Sequence, residues 1–314
     1  MSAVTGRTEL TRARIIFVPG LNPKPPPDIY RPQLLRVLLA ALARMRPSAA
    51  EWLAANGAKF ELVAWTYLFH GAHRDISVDL PGIERLLVQT EARPEDVRAL
   101  GSWTHRLQRW THLFGDAWPF FGRRLAPAGT RRLMHEATRY LKNRDGVGAE
   151  VRAALRARLE TAWRAGERVL LLGHSLGSVI AYDTLWELTH VQRSSGEVSL
   201  LVTLGSPLAT HFVQRSLKGR GEVGAARYPH NIRRWVNLTA RGDMTALQPR
   251  VKPLYHEMLD LKLVDSIEDF VEFDNYFRNN LGLNAHEAYG YLAQPLLAEI
   301  VGGWLERTVS FDAA

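Results

Sequence analysis

The order of apolar runs along the chain predicts an α/β fold, with a mostly parallel central sheet covered by helices on both faces. Short apolar runs of strand length alternate with stretches of helical periodicity. Val169 to Leu172 is unbroken rather than alternating, as a strand buried on both faces requires. With 314 residues, 46% of them hydrophobic, the chain is long enough for one large domain or two small ones.

Each element follows in turn. "RIIFVPG" (Arg14 to Gly20) reads as a buried strand ending in Pro-Gly, and the proline-rich loop "LNPKPPP" follows it. Arg31 to Met45 carries leucine and alanine at helical spacing, and "FELVAWTYLF" (Phe60 to Phe69) reads as a second strand. Residues 70–165 interrupt the alternation. They are Arg-rich and largely helical, and are expected to form a helical insertion or lid on a core made of residues 1–69 and 166–314. Within the insertion Trp103, Leu107, Trp110 and Phe114 share one helical stripe, either a face buried on the core or the apolar face of a lid. The alternation then resumes with a strand at Val169 to Leu172, a helix from Leu176 to about Thr189, and a strand at Val198 to Leu204. A helix near His211 to Leu217 and a strand at Arg234 to Ala240 come next. Val271 to Phe273 reads as a last short strand before a long helix from Asn284 to about Arg307.

Composition narrows the function classes. There is no cysteine, which excludes disulfides and thiolate zinc sites. The amino-terminal residues lack the apolar core of a signal peptide and no window approaches a membrane span, so a cytoplasmic protein is expected, with at most transient contact with a membrane surface. The net charge is +8, but only six of the 40 basic residues are lysine, and the excess concentrates in residues 70–165, with 17 basic against 11 acidic side chains. No nucleic-acid motif accompanies that charge, so nucleic acid is not expected as a partner. Oligomeric state is not encoded in any pattern of the chain.

The chemistry concentrates at "VLLLGHSLGSVIAYDTLWEL", where a strand passes through Gly173-His174-Ser175-Leu176-Gly177 into a helix. A Gly-x-Ser-x-Gly in this context is a nucleophile elbow: the serine sits on a strained turn, Gly173 and Gly177 leave room for the chain to pack through it, and the helix start favours a developing oxyanion. The serine needs a base and the base an orienting carboxylate, in chain order serine, acid, histidine. His211 and His230 precede the strand 234–240 that should carry the acid, whereas His256 and His286 follow it. His286, in "GLNAHEAYGYL", is the favoured base, because His256 comes only 13 residues after the best acid, Asp243 in "VNLTARGDMTA". Asp260, Asp265 and Asp274 are the alternative acids. The backbone N–H groups of Leu176 and of Leu21, just past Pro19-Gly20, are the candidate oxyanion donors.

These residues carry a family resemblance. "GHSLGSVIAYD" resembles the nucleophile elbow of α/β-hydrolases of the lipase and serine-esterase branch, "VTLGSPL" resembles the strand and turn that follow it, and "NAHEAYGYL" resembles the histidine loop. The likeness covers residues 14–69 and 165–307, and departs at the oxyanion loop, where lipases usually show His-Gly and this chain has Pro19-Gly20. It implies an α/β-hydrolase fold, a small-molecule or lipid-like acyl substrate and no cofactor. The expected activity is carboxylic ester hydrolysis through an acyl-enzyme; acyl transfer, thioester cleavage and a non-catalytic binding module on the same fold are the alternatives. His70, His73 and Asp75 in "HGAHRD" are metal ligands by type only, and no metal is expected. The His-Glu pairs at His135, His256 and His286 lack the second histidine of a zinc-protease motif.

Overall fold

The computed structural model describes residues 12–100, 128–280 and 282–309. Six parallel strands form its central sheet: β1 (Ala13–Val18), β2 (Phe60–Leu62), β3 (Arg168–His174), β4 (Val198–Leu204), β5 (Arg234–Ala240) and β6 (Ser266–Phe273). Their spatial order is β2-β1-β3-β4-β5-β6. After β2 the chain crosses back over β1 to lay β3 beside it, and every later strand adds outward. The strand order therefore reverses between β1 and β3. In open parallel sheets the crevice at such a reversal, beyond the carboxyl ends of the strands, is where ligands bind.

The helices among the described residues are α1 (Pro27–Met45), α2 (Pro47–Ala55), α3 (Thr66–His70), α4 (Leu80–Val88) and α5 (Pro94–Leu100). They continue with α6 (Ala128–Leu141), α7 (Val147–Arg164), α8 (Leu176–His190) and α9 (His211–Gln214), and end with α10 (Lys252–Tyr255), α11 (Glu257–Asp260), α12 (Ala288–Leu292) and α13 (Pro295–Thr308). Because side chains on a strand point alternately to the two faces, the sheet feeds two apolar layers. On one face Ile15, Phe17, Leu170 and Leu172 meet α1, α2, α4, α12 and α13. On the other, Ile16, Val18, Val169 and Leu171 meet α7 and α8. The segment 70–165 takes part in both layers, α4 through Ile83 and Leu86 and α7 through Val151, Leu155 and Leu159. Its stripe of Trp103, Leu107, Trp110 and Phe114 lies outside the described residues. No helix among the described residues is long and apolar enough to cross a membrane.

Three expectations require correction. The run Phe60 to Phe69 is a strand only as far as Leu62; after a turn the chain enters α3. Its apolar character serves the sheet edge instead, where Trp65 packs edge-on against Phe69 at 5.6 Å. The last helix is divided at Gln294, with Pro295 opening α13, because proline suits a first helical turn and not a helix interior. Residues 284–287 therefore form a loop, entered from a small hairpin of β7 (Arg278–Asn279) and β8 (Gly282–Leu283). Strand β6 is longer than Val271 to Phe273, since its Ser266, Glu268 and Asp269 dilute the apolar signal of an edge strand.

Candidate active site

Ser175 joins β3 to α8 with φ 54° and ψ −128°, a backbone conformation that a side-chain-bearing residue rarely adopts. The neighbouring glycines make this passage sterically feasible. A Cβ on Gly173 would lie 2.7 Å from the Ser178 Cα, and one on Gly177 would overlap the Val18 carbonyl at the end of β1. Helix α8 is thus pressed against the carboxyl end of β1. Leu176 opens that helix, so its N–H belongs to the first turn, whose donors have no intrahelical acceptor. Gly20 completes the contact from the other side: a Cβ there would stand 2.8 Å from the Ser175 Cβ and 3.3 Å from its Oγ. The loop carrying Gly20 and Leu21 is fixed by two groups that sequence reasoning missed. Trp65 Nε1 donates to the Pro19 carbonyl at 2.9 Å, and His70 Nε2 donates to the Leu21 carbonyl at 2.6 Å.

Asp243 and His286 are brought together at the same edge. Asp243 sits in the turn after β5, and its Oδ2 accepts from His286 Nδ1 at 2.8 Å. The same oxygen accepts from the Tyr291 hydroxyl at 2.6 Å, while Oδ1 accepts from the Thr245 N–H at 2.9 Å. Burial pushes this carboxyl's pKa up, but the neighbouring His286 and the donated hydrogen bonds outweigh it and hold the group below its ordinary value. Asp243 therefore stays ionised although only 4% exposed. Tyr291 also accepts the Ala240 N–H at 3.0 Å, tying the acid to the end of β5. Gly205, after β4, has φ +53°, and a Cβ there would overlap Asp243 Oδ2 and lie 3.0 Å from His286 Nδ1. Both its conformation and its surroundings call for glycine.

His174 links the two halves. Its Nε2 donates to the His286 carbonyl at 2.7 Å and its ring lies 4.7 Å from the His286 ring. Burial first, then the charges of His286 and Lys24, hold its pKa well below the ordinary histidine value, so the ring is neutral. Ser175 follows it directly in the chain. No hydrogen bond runs from Ser175 Oγ to His286, a link that in unliganded sites often tightens only when substrate is present. The alternative residues are engaged elsewhere. His256 pairs with Asp260 on an exposed helix, Asp265 with Arg233, and Asp274 with Arg241. His73 packs on Tyr67 at 4.5 Å, away from His70's bond to Leu21, and Asp75 caps the turn at Ser77. Comparison with protein-family models, curated proteins and solved structures finds no match to this chain.

Of the residues that surround this site, Tyr291 and Gly205 lay within stretches quoted above for their resemblance, "NAHEAYGYL" and "VTLGSPL". Trp65 carried no signal beyond an apolar run, and His70 was weighed only as a metal ligand by type, beside His73 and Asp75.

Proposed function

We propose that this chain is a serine hydrolase with an α/β-hydrolase fold that cleaves carboxylic esters through Ser175, His286 and Asp243. The observation that supports this reading most is the Asp243–His286 hydrogen bond at the sheet edge where Ser175 is held at φ 54°. With Nδ1 donating its proton to Asp243, a neutral His286 carries its lone pair on Nε2. Nε2 takes the Ser175 hydroxyl proton as Oγ attacks the acyl carbon. The resulting oxyanion accepts from the backbone N–H groups of Leu176 and Leu21. Collapse of this intermediate expels the alcohol, which leaves with the proton from His286. Water then repeats the sequence on the acyl-serine, with His286 as base, and frees the acid. Asp243 holds the imidazole in the required tautomer and stabilises the cation that forms on it.

The test is labelling by a fluorophosphonate together with turnover of a short p-nitrophenyl ester. Wild type is expected to react with both. Ser175→Ala should lose both while melting as wild type does, because one hydroxyl oxygen is deleted and nothing is added. Ester turnover by that variant at the wild-type rate would reject the assignment.

A further inference from the structure

A small cavity of about 10 Å³ lies beside the loop that follows β1, lined by Pro19, Lys24, Tyr30, Thr66, Tyr67 and His73 among others. Lys24 is its unusual member. The residue is only 6% exposed, yet its ammonium makes no hydrogen bond and no ion pair among the described residues. A largely buried cation with no bonded partner is an unfavourable arrangement. The carboxylates of Glu287 and Asp79 attract it without bonding to it. Asp79 is paired with Arg74, and Glu287 accepts from the Ala288 N–H at 3.1 Å and from Asn284 at 3.5 Å. Nor is the lysine loosely held, since its carbonyl accepts the Arg74 N–H at 3.0 Å and packs its segment in place. Tyr30, which lines the same cavity, has a buried hydroxyl without a partner.

Pro27 lines the cavity and opens α1, a helix of 19 residues, so the positive end of that helix lies beside it. Burial holds the Lys24 pKa below the ordinary lysine value; Glu287 and Asp79 act in the opposite sense and Arg74 in the same sense. An anion at Nζ would act in the same sense as those carboxylates and favour the charged form. The cavity also belongs to the serine's own loop: Pro19 lines it, and the next residue, Gly20, stands against Ser175. On the outer side Tyr67, 49% exposed, stacks on His73 and forms a rim open to solvent.

We infer that Lys24, with the Tyr30 hydroxyl, is an anion-binding site that receives one carboxylate or phosphate oxygen of the substrate, and that the preferred substrate is an ester carrying such a group. A space of this volume admits a single oxygen, so the anionic group enters end-on, with the rest of the molecule running past the rim toward Ser175. The substrate half of this inference rests on the hydrolase reading; the binding half does not.

Two measurements separate the halves. In the first, thermal melting of wild type, Lys24→Met and Ser175→Ala is followed in titrations with glutarate and with inorganic phosphate. At least one anion should raise the melting temperature of wild type and Ser175→Ala by a few degrees in a saturable way, and leave Lys24→Met unmoved. Which of the two acts identifies the group recognised. Without anion, Lys24→Met should melt at or above wild type, because an unpaired buried charge is replaced by an apolar chain of similar length. Absence of any anion effect on wild type, an equal effect on Lys24→Met, or a Lys24→Met protein that melts well below wild type makes the lysine a structural residue and overturns the inference. The second compares kcat/KM for mono-p-nitrophenyl glutarate and p-nitrophenyl butyrate. The ratio of anionic to neutral ester should fall at least about tenfold in Lys24→Met, the worth of a hydrogen bond to a charged group. An unchanged ratio rejects the substrate half. Turnover of neither ester by wild type, with Ser175 unlabelled, would count against the hydrolase reading, and the melting series would still decide the anion site.

Discussion

Asp243 gathers four interactions on two oxygens: His286 Nδ1 and the Tyr291 hydroxyl on Oδ2, and the Thr245 and Ala246 N–H groups on Oδ1. Replacing it by asparagine keeps the volume but presents an amide that can hold the imidazole in the wrong tautomer. Serine proteases lose about 10⁴-fold in kcat by that change, and a similar loss is expected from Asp243→Asn with melting little altered. Asp274→Asn is the control, since Asp274 is engaged with Arg241; a dead Asp274→Asn beside an active Asp243→Asn would exchange their roles. Tyr291→Phe should act differently. It removes one of two donors to Oδ2 and leaves the Ala240 N–H without its acceptor. A stability loss of about 1–3 kcal/mol is expected from that buried orphan, with a smaller loss of rate than Asp243→Asn. Denaturant unfolding and ester turnover on the same samples check both parts, and a Tyr291→Phe protein of wild-type stability would show that the hydroxyl contributes nothing.

At the scale of elements, β1 and α3 hold the loop that faces Ser175. Trp65 and His70 each fasten one of its carbonyls, Pro19 and Leu21. Trp65→Phe keeps most of the apolar contact and deletes the donor. The expected outcome is a fall in kcat for ester turnover with KM nearly constant, because a loosened loop aims its N–H groups less well at a transition-state charge. Unchanged kcat would mean that the loop is held without the tryptophan. This is also the scale at which the sequence was least transparent. The ends of β3, β4 and β5 were legible because runs rich in apolar residues stop at glycine or at a charged residue, and that placed Ser175 and Asp243 beyond strand ends at one edge. Trp65 and His70 were not legible, since an aromatic in an apolar run packs the same way whether or not its ring nitrogen holds a distant carbonyl. Gly205 needed a side-chain neighbour 38 residues away in the chain, Asp243, to explain it. Periodicity reports which face is apolar, and is silent on which single donor crosses between elements.

Across the whole molecule, buried carboxyls set how stability responds to pH. Asp183 in α8 is only 3% exposed, and burial pushes its pKa from 3.8 up to about 6, despite hydrogen bonds from Tyr140 and from the Lys218 N–H. Between about pH 4 and pH 6 the folded state keeps a proton there that the unfolded chain has released. Stability contributed by this group is therefore full below pH 4 and is lost as pH rises through 6. Asp183→Asn removes the titration. The difference in unfolding free energy between variant and wild type should move in the variant's favour by about 3 kcal/mol between pH 4 and pH 7, and then stay level. A difference independent of pH would show that Asp183 titrates normally. The order of the strands has a further consequence, which concerns how the chain is made rather than how it rests. The bonds from Arg14 to Glu167 bridge 153 residues, because β1 must wait for β3 before it has neighbours on both sides. Until then Ile15, Ile16, Phe17 and Val18 have only the three-residue β2 beside them. On a ribosome adding about 5–20 residues each second, that wait lasts several seconds or more, with an open apolar edge facing other nascent chains. Loop closure over such a span is also slow in refolding. Soluble yield from this gene should therefore depend on holdase chaperones and on slow synthesis more steeply than the stability of the finished fold would suggest, and expression with and without co-produced chaperones at equal transcript level measures it.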